Sequence, residues 1–290
     1  MTLRTSTIGL LFILFVAQIL SGCVSQQHRH RSSVVDYLYP NEKETTVQPS
    51  IPRLTLPLKV GIAFVPSHES TTSGNNLWIG RVGVGSLSEA DKLQLLDEVS
   101  NHFKQYDFVK SIEVIPSSYL TPGGGFNNLN QVKTMYGVDV MALVSYDQVQ
   151  FTDEGLLSLS YWTLVGAYVF KGEKNDTSTL MDTVVYDISS RKMLFRAPGT
   201  SQIKGSATPV NLSEELRSDS LKGFKDATGQ MIANLDLQLT RFKEKVKERP
   251  EEFQVVHSAG YAGGGGADWA LLAIALLPPA LARRKSKSLR

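Results

Sequence analysis

The chain has 290 residues, with 30 Lys and Arg against 28 Asp and Glu and a formal net charge of +2. This balance excludes an extended basic face, so nucleic acid is not an expected partner. Cys23 is the single cysteine of the sequence, which excludes disulfides within the chain and the cysteine spacings of zinc sites.

Residues 1–22 form a hydrophobic leader. The mostly apolar run from Ile8 to Leu20 would span about 20 Å as a helix, short of the roughly 30 Å hydrocarbon core of a bilayer. It therefore predicts a signal peptide that is removed, and not a permanent anchor. The leader closes with Leu20-Ser21-Gly22-Cys23.

This closing segment resembles the bacterial lipobox. The resemblance implies cleavage between Gly22 and Cys23 by lipoprotein-processing enzymes, followed by acylation of Cys23, which would attach the protein to membrane lipids. Several acyl chains hold firmly because each buried CH₂ contributes about 0.8 kcal/mol. Val24 is not acidic, which by the sorting rule of that family implies export to the outer membrane. An ordinary leader that happens to contain a cysteine is the alternative.

Residues 23–50 are predicted to form a flexible tether. Polar side chains dominate this segment, and its apolar residues show little periodicity. His28 and His30 are therefore expected in solvent and not as metal ligands.

Residues 51–250 are predicted to form one globular domain that begins with a βαβαβ order. Ser88 and Asp91 can cap the first helix, whose apolar residues recur every three or four positions. The predicted strands and helices of this part are, in chain order, strand Lys59–Val65, helix Leu87–Phe103, strand Val109–Ile115, helix Leu129–Tyr136 and strand Val138–Tyr146.

The second part of the domain alternates between apolar and polar residues, which predicts antiparallel strands. These strands are Leu156–Phe170, Ser178–Ile188 and Lys192–Ile203, with a turn at 189–191. A helical stripe then runs from Leu212 to Lys247, as one helix or as two joined near Gly229. The fold class is α/β or α+β, with a mixed β-sheet covered by helices that include a long C-terminal amphipathic helix.

A search for catalytic chemistry in this domain yields no catalytic residue, no metal site and no cofactor. His68-Glu69 follows the first strand without a nucleophile motif, and His102 lies on the polar side of a helix. Asp182 and Asp187 are expected to face water. The aromatic run of Tyr161, Trp162, Tyr168 and Phe170 is interpreted as core, or else as a surface for a partner or ligand.

The C-terminus consists of a Gly-rich linker, residues 251–266, and a hydrophobic segment with a basic tail, residues 267–290. The apolar run Trp269–Ala282 has only 14 residues and contains Pro278-Pro279, so it would make a poor permanent anchor. The basic residues that follow it favour the cytoplasmic side, and they include Arg283, Arg284 and Lys285.

A glycine run, a short hydrophobic helix and a basic end together resemble the GlyGly-CTERM signal. That resemblance implies cleavage by a rhombosortase-type intramembrane protease, after a transient stay of the C-terminal helix in the inner membrane. The implied processing region consists of Gly263, Gly264, Gly265, Gly266 and Ala267. A plain membrane anchor is the alternative for this segment.

With a lipobox and this tail combined, the chain resembles the rhombotarget lipoproteins of Gram-negative bacteria. The resemblance implies a lipoprotein of the cell envelope, in the outer membrane and facing the periplasm or the cell surface. We expect the body to be non-enzymatic and to bind another envelope protein or copies of itself. An exported surface hydrolase, and an inner-membrane bridging tether with an uncleaved C-terminal anchor, remain the alternatives.

Overall fold

The computed structural model describes residues 25–40, 50–67, 71–74, 87–154, 173–207 and 211–261. The strands in these ranges are β1 (Ser25–Arg31), β2 (Arg53–Leu56), β3 (Leu58–Phe64), β4 (Thr71–Gly74), β5 (Val109–Val114), β6 (Val140–Glu154), β7 (Glu173–Asp187), β8 (Lys192–Ala207) and β9 (Gln254–His257). The α-helices are α1 (Val34–Leu38), α2 (Glu89–Phe103), α3 (Gly125–Tyr136) and α4 (Leu212–Glu248).

A seven-stranded mixed sheet is organised around β6. One side of β6 pairs along its whole length with β7, which in turn pairs with β8, and both pairings are antiparallel. The other side is shared: residues 140–144 pair in parallel with β3, and residues 147–153 pair antiparallel with β1. β5 flanks β3, and β4 flanks β1. The predicted mixed α/β fold class is confirmed.

The βαβαβ order is confirmed as two parallel crossovers, because β3 lies between β5 and β6 and runs parallel to both. The predicted cap of the first helix is present: the Ser88 hydroxyl accepts a hydrogen bond from the Asp91 backbone N–H at 3.2 Å. The apolar stripe of α2 is buried at Leu95, Leu96 and Val99. Local capping and periodicity therefore define this helix.

Helices cover both faces of the sheet. On one face α2 and α4 pack over Phe64 and Val144, with Phe224 of α4 in the same apolar cluster. On the other face α1 and α3 form a second cluster with Leu143 of β6. Alternate residues of β6 thus enter opposite cores, as the period of a strand requires. None of the helices in the described ranges combines the length and the hydropathy needed to cross a bilayer.

The structure differs from the tether that the sequence predicts for residues 23–50. Residues 25–31 form β1 inside the sheet, and α1 buries Val34, Tyr37 and Leu38 against the second core. His28 and His30 are buried and not solvated. The prediction is wrong here because β1 has no hydrophobic alternation, so its sequence gives no strand signal.

The linker that the sequence predicts from residue 251 also begins later than expected. Residues 250–252 form a 3₁₀ turn, and β9 pairs in parallel with β2. Phe253 packs in the first core, with its ring centroid 5.4 Å from that of Phe242. The folded body therefore extends at least to His257.

Candidate apolar binding site

A cavity of about 100 Å³ lies between the sheet and the helices α2 and α4. Its floor is made by alternate residues of β6 and β7, and its sides come from the two helices and from β3, β5 and β8. The lining residues include Val140, Ala142, Thr183 and Val185 in the floor, Val99, Ser100 and Phe103 on α2, and Leu235, Leu239 and Phe242 on α4.

The walls of this cavity are apolar because the strand and helix patterns that build the core converge there. Val140 and Ala142 are two residues apart on β6, so both point to the helix-covered face. Ala142 and Thr183 are small, and they leave space in a floor that larger side chains would fill. Phe103 and Leu239, where α2 and α4 border the cavity, are half-buried.

The Ser100 hydroxyl stands out in this apolar wall. Ser100 is fully buried, and its Oγ has no hydrogen-bond partner among the described residues. A buried hydroxyl without a partner costs about 1–3 kcal/mol. The fold therefore carries an uncompensated polar group at the cavity wall.

A second, smaller cavity of about 30 Å³ adjoins the first. Leu58, Phe108, Leu239 and Phe242 line both of them, and Lys243 lines the second. The Lys243 Nζ lies 4.4 Å from the ring centroid of Phe108, a cation–π contact. Burial, followed by the nearby charge of Lys247, lowers the pKa of Lys243. The apolar stem of Lys243 thus lines the smaller cavity, and its ammonium lies over the Phe108 ring beside it.

A polar bridge joins α2 to α4 near the Lys243 side chain. His102 Nε2 lies 2.9 Å from one carboxylate oxygen of Asp236, and the Tyr106 hydroxyl donates to the other at 2.7 Å. The bond to Asp236 is the main cause that raises the pKa of Tyr106. His102 was expected in solvent, but it is partly buried in this bridge. In the described part of the chain, no hydroxyl or thiol nucleophile bonds to His102.

Farther along the same face of the sheet, the core becomes polar. Beside the first half of α4, nine buried polar side chains come from three neighbouring strands, and they are Gln26, His28, His30, Gln148, Gln150, Thr152, Asn175, Thr177 and Thr179. Burial, and secondarily the charge of His30, lowers the pKa of His28. This set is called the buried polar layer.

The buried polar layer attaches the sheet to the backbone of α4. The Gln148 side-chain amide donates to the Ser220 carbonyl at 3.1 Å, and that of Gln150 donates to the Leu216 carbonyl at 2.8 Å. The Ser220 hydroxyl donates back to Gln148 Oε1 at 2.6 Å. Asn175 Nδ2 donates to the Asp219 carboxylate, whose pKa burial raises. These bonds satisfy much of the layer and position α4.

The acidic residues that the sequence places on the strands have mixed environments. Asp187 was expected to face water but is buried, and its carboxylate accepts from the Ser190 N–H at 2.8 Å in the predicted hairpin turn. Asp182 bonds to Arg196 Nε at 2.7 Å. In the ranges that the structure describes, no cluster of three or more His, Cys, Asp or Glu could hold a metal ion.

The residues predicted for lipidation, processing and topology lie outside the described ranges. They are Gly22, Cys23, Gly263, Gly264, Gly265, Gly266, Ala267, Arg283, Arg284 and Lys285. His68 and the aromatic run of Tyr161, Trp162, Tyr168 and Phe170 also lie outside them. The structure therefore neither joins these residues to the cavity nor separates them from it.

The cavity, and the position of Lys243 beside it, were not predicted from the sequence. The floor and the helix walls come from residues that are more than a hundred positions apart in places, such as Val99 and Leu235. Each of these residues has an ordinary core pattern by itself. Lys243 contacts the rings of Tyr106 and Phe108, and no local sequence pattern encodes these contacts.

No family model and no curated protein sequence matches this chain. A solved structure described as a neuraminyllactose-binding hemagglutinin homolog from Helicobacter pylori is similar at 9% identity and a TM-score of 0.33. The similarity covers 73% of this chain and 97% of that one. A likeness of this extent carries no conclusion about function.

Proposed function

We propose that the chain is a lipid-anchored binding module of the bacterial envelope, whose body takes an apolar group into the cavity between the sheet, α2 and α4. The observation that carries this proposal is the cavity itself, with its apolar walls between the sheet and two helices. The module binds and does not catalyse.

The energetics of the cavity favour a binding role. Unfilled apolar space costs about 24 cal/mol per Å³, so a cavity of about 100 Å³ costs the free protein about 2 kcal/mol. An apolar group that enters recovers this free energy and also leaves water. Apolar cavities of similar size stay dry and accept small hydrocarbons.

Benzene is a direct probe of this site, because it is apolar and its six carbon atoms come close to the capacity of the two adjoining cavities. We expect benzene to shift the methyl NMR resonances of Val99, Val140 and Val185 in the full-length protein, in a saturable way. The methyl resonances of Leu143, on the opposite face of the sheet, should stay unchanged. Saturable shifts on both faces, or none at the cavity, would contradict the proposal.

Two variants make this experiment specific. Ala142→Leu adds three carbon atoms in the cavity floor and is expected to abolish benzene binding while the fold is retained. Met193→Leu changes an exposed position of β8 and should bind like the parent. Unaltered binding to Ala142→Leu would show that benzene binds elsewhere.

The register of β1 supports attachment of one end of the sheet to the membrane. Ser25 pairs with Asp153, at the end of β6 where β7 also begins. Cys23 precedes Ser25 by two residues, so acyl chains on Cys23 would hold this end of the sheet at the bilayer. Membrane lipids and lipoprotein-processing enzymes are then the partners at this end, and the outer membrane is the destination.

At the other terminus, the position of β9 supports a release step. Tyr261 is the last described residue, and its N–H bonds to the Ser258 carbonyl at 3.1 Å. Cleavage by a rhombosortase-type protease between Gly263 and Ala267 would leave these contacts intact. The protein would then lose its C-terminal segment without unfolding.

Mass spectrometry of the mature protein tests both processing steps. We expect an acylated N-terminus at Cys23 and a C-terminus near the glycine run. A Cys23→Ser variant should lack the acyl mass and leave the membrane fraction. Intact residues 269–290 in the outer-membrane fraction would contradict release, and in the inner-membrane fraction they would favour the bridging tether.

A further inference from the structure

We infer that the ligand of the cavity is a single-chain amphiphile, in which a short alkyl chain fills the apolar space and a carboxylate binds the Lys243 ammonium. This inference rests on the proposed function and names the chemical class of the ligand. Three features carry it: an apolar cavity that adjoins a second one lined by Lys243, the absence of a carboxylate partner for Lys243 among the described residues, and the size of the space.

The two cavities adjoin, and the walls that they share are apolar. Leu58, Phe108, Leu239 and Phe242 border both the larger and the smaller cavity. Lys243 follows Phe242 on α4 and lines the smaller cavity. A chain with its tail over Ala142 can therefore place its polar end near Lys243 without crossing a polar wall.

The Lys243 ammonium lies beside aromatic rings, and none of the described carboxylates pairs with it. Its Nζ is 4.4 Å from the ring centroid of Phe108 and 5.4 Å from that of Tyr106. Among the described residues no carboxylate lies within ion-pair distance of it, whereas Lys245 and Lys192 both pair with Glu252. Asp236, the other charged group that contacts Tyr106, is bonded to Tyr106 and His102. A ligand carboxylate would supply the missing anion in a partly desolvated place.

The size of the space limits the ligand to a short chain. A cavity of about 150 Å³ holds the six carbon atoms of benzene, so about 100 Å³ with an adjoining 30 Å³ holds roughly five. A chain of about six to eight carbon atoms then places its carboxylate at the rim. A two-chain phospholipid is too large.

The distance from the proposed anchor points to a ligand from the aqueous phase. Ala142 in the cavity floor and Asp153 beside Ser25 are up to about 36 Å apart along β6. With Cys23 acylated, the cavity would stand away from the bilayer. A medium-chain carboxylate dissolves in water and can reach it there.

The experiment compares octanoate with octanol, which has the same chain length and no charge, on the full-length protein. Binding is followed through the methyl resonances of Val99, Val140 and Val185. We expect octanoate to bind more tightly than octanol. The Lys243→Met variant keeps an apolar stem and should bind octanoate about tenfold more weakly, with octanol affinity unchanged.

Lys245→Met is the matched control, because it removes a lysine of the same helix whose ammonium pairs with Glu252 at 3.8 Å. It should bind octanoate like the parent, and Ala142→Leu should bind neither compound. Equal octanoate affinity in the parent and in Lys243→Met would overturn the assignment of the carboxylate site. Benzene binding without octanoate binding would overturn it while the proposed function stands, and failure of both probes would overturn both proposals.

Discussion

Two serine hydroxyls that face the sheet from α2 and α4 should respond to removal in opposite directions. Ser100 Oγ is buried in the cavity wall without a partner, whereas Ser220 Oγ donates to Gln148 Oε1 at 2.6 Å. Both residues lie inside helices and both are buried. Ser100→Ala and Ser220→Ala are therefore the same chemical change in two different hydrogen-bonding environments.

The magnitudes follow from the two environments. Each change gains up to about 0.5 kcal/mol from the higher helix propensity of alanine. Ser100→Ala also removes an unsatisfied hydroxyl, worth about 1–3 kcal/mol, so a net stabilisation of about 1–2 kcal/mol is expected. Ser220→Ala leaves Gln148 Oε1 buried without this donor, so a net destabilisation of about 1–2 kcal/mol is expected.

Urea unfolding followed by circular dichroism measures both values, provided that the variants and the parent have the same denaturant dependence of the unfolding free energy. The common gain in helix propensity cancels in the difference between the variants, which should be roughly 2–4 kcal/mol. If both variants shift the unfolding free energy in the same direction by the same amount, the reasoning about the unpaired hydroxyl is refuted.

Four further substitutions, one of them a control, test other parts of the structure. Gly199→Ala would place a Cβ 2.1 Å from a backbone carbonyl oxygen of α4 and should lower the unfolding free energy, measured in urea, by more than about 2 kcal/mol. Gly137→Ala has open space around the new Cβ and should lower it by only about 1 kcal/mol, because of the positive φ at this position. Burial raises the pKa of Tyr186 to about 12, so its neutral form stabilises the fold below about pH 10, and this contribution is lost as the pH rises through about 12. Tyr186→Phe should therefore reduce the loss in unfolding free energy between these two pH values. An unchanged dependence of the unfolding free energy on pH would count against the assignment. Asp236→Asn should lower the pKa of Tyr106 towards its ordinary value, because the bond to the Asp236 carboxylate is the main cause that raises this pKa. A spectrophotometric titration of tyrosinate would detect the change. A titration identical to that of the parent would contradict this cause.

The helices α2 and α4 were predictable from the sequence because their signals are local, whereas α1 was missed within the predicted tether and α3 begins at Gly125, before the predicted start at Leu129. The predicted helix from Leu212 to Lys247 ends one residue before the observed α4, and residues of its stripe such as Phe224 and Met231 are buried. Gly229 does not break it, since it is exposed and nothing lies within 4 Å of its Cβ position. Packing of the stripe on the sheet outweighs the cost of one exposed glycine.

The strands were predictable only where they are apolar. β6 was predicted to end at Tyr146 but extends to Glu154, because its later inward positions are Gln148, Gln150 and Thr152. β1 was missed for the same reason, since its inward positions belong to the buried polar layer. A period-2 pattern of hydrophobicity cannot identify strands whose buried side chains hydrogen-bond to one another and to a helix backbone.

The candidate site depends on tertiary contacts that the sequence does not encode locally. Ser100 has an ordinary place on α2, and only the structure shows that its hydroxyl lacks a partner. Lys243 and Lys245 are two residues apart on one helix and both contact aromatic rings, but among the described residues only Lys245 of the two also pairs with a carboxylate, that of Glu252. This difference follows from which strands and turns lie beside each side chain.

The most direct test of the binding role is a set of intermolecular nuclear Overhauser effects between bound octanoate and the protein. We expect effects from the terminal methyl group of octanoate to Val140 and Val185, and effects from the protons beside its carboxylate to the Lys243 side chain. Effects to Leu143 on the opposite face, or no effects when the ligand is saturating, would contradict it.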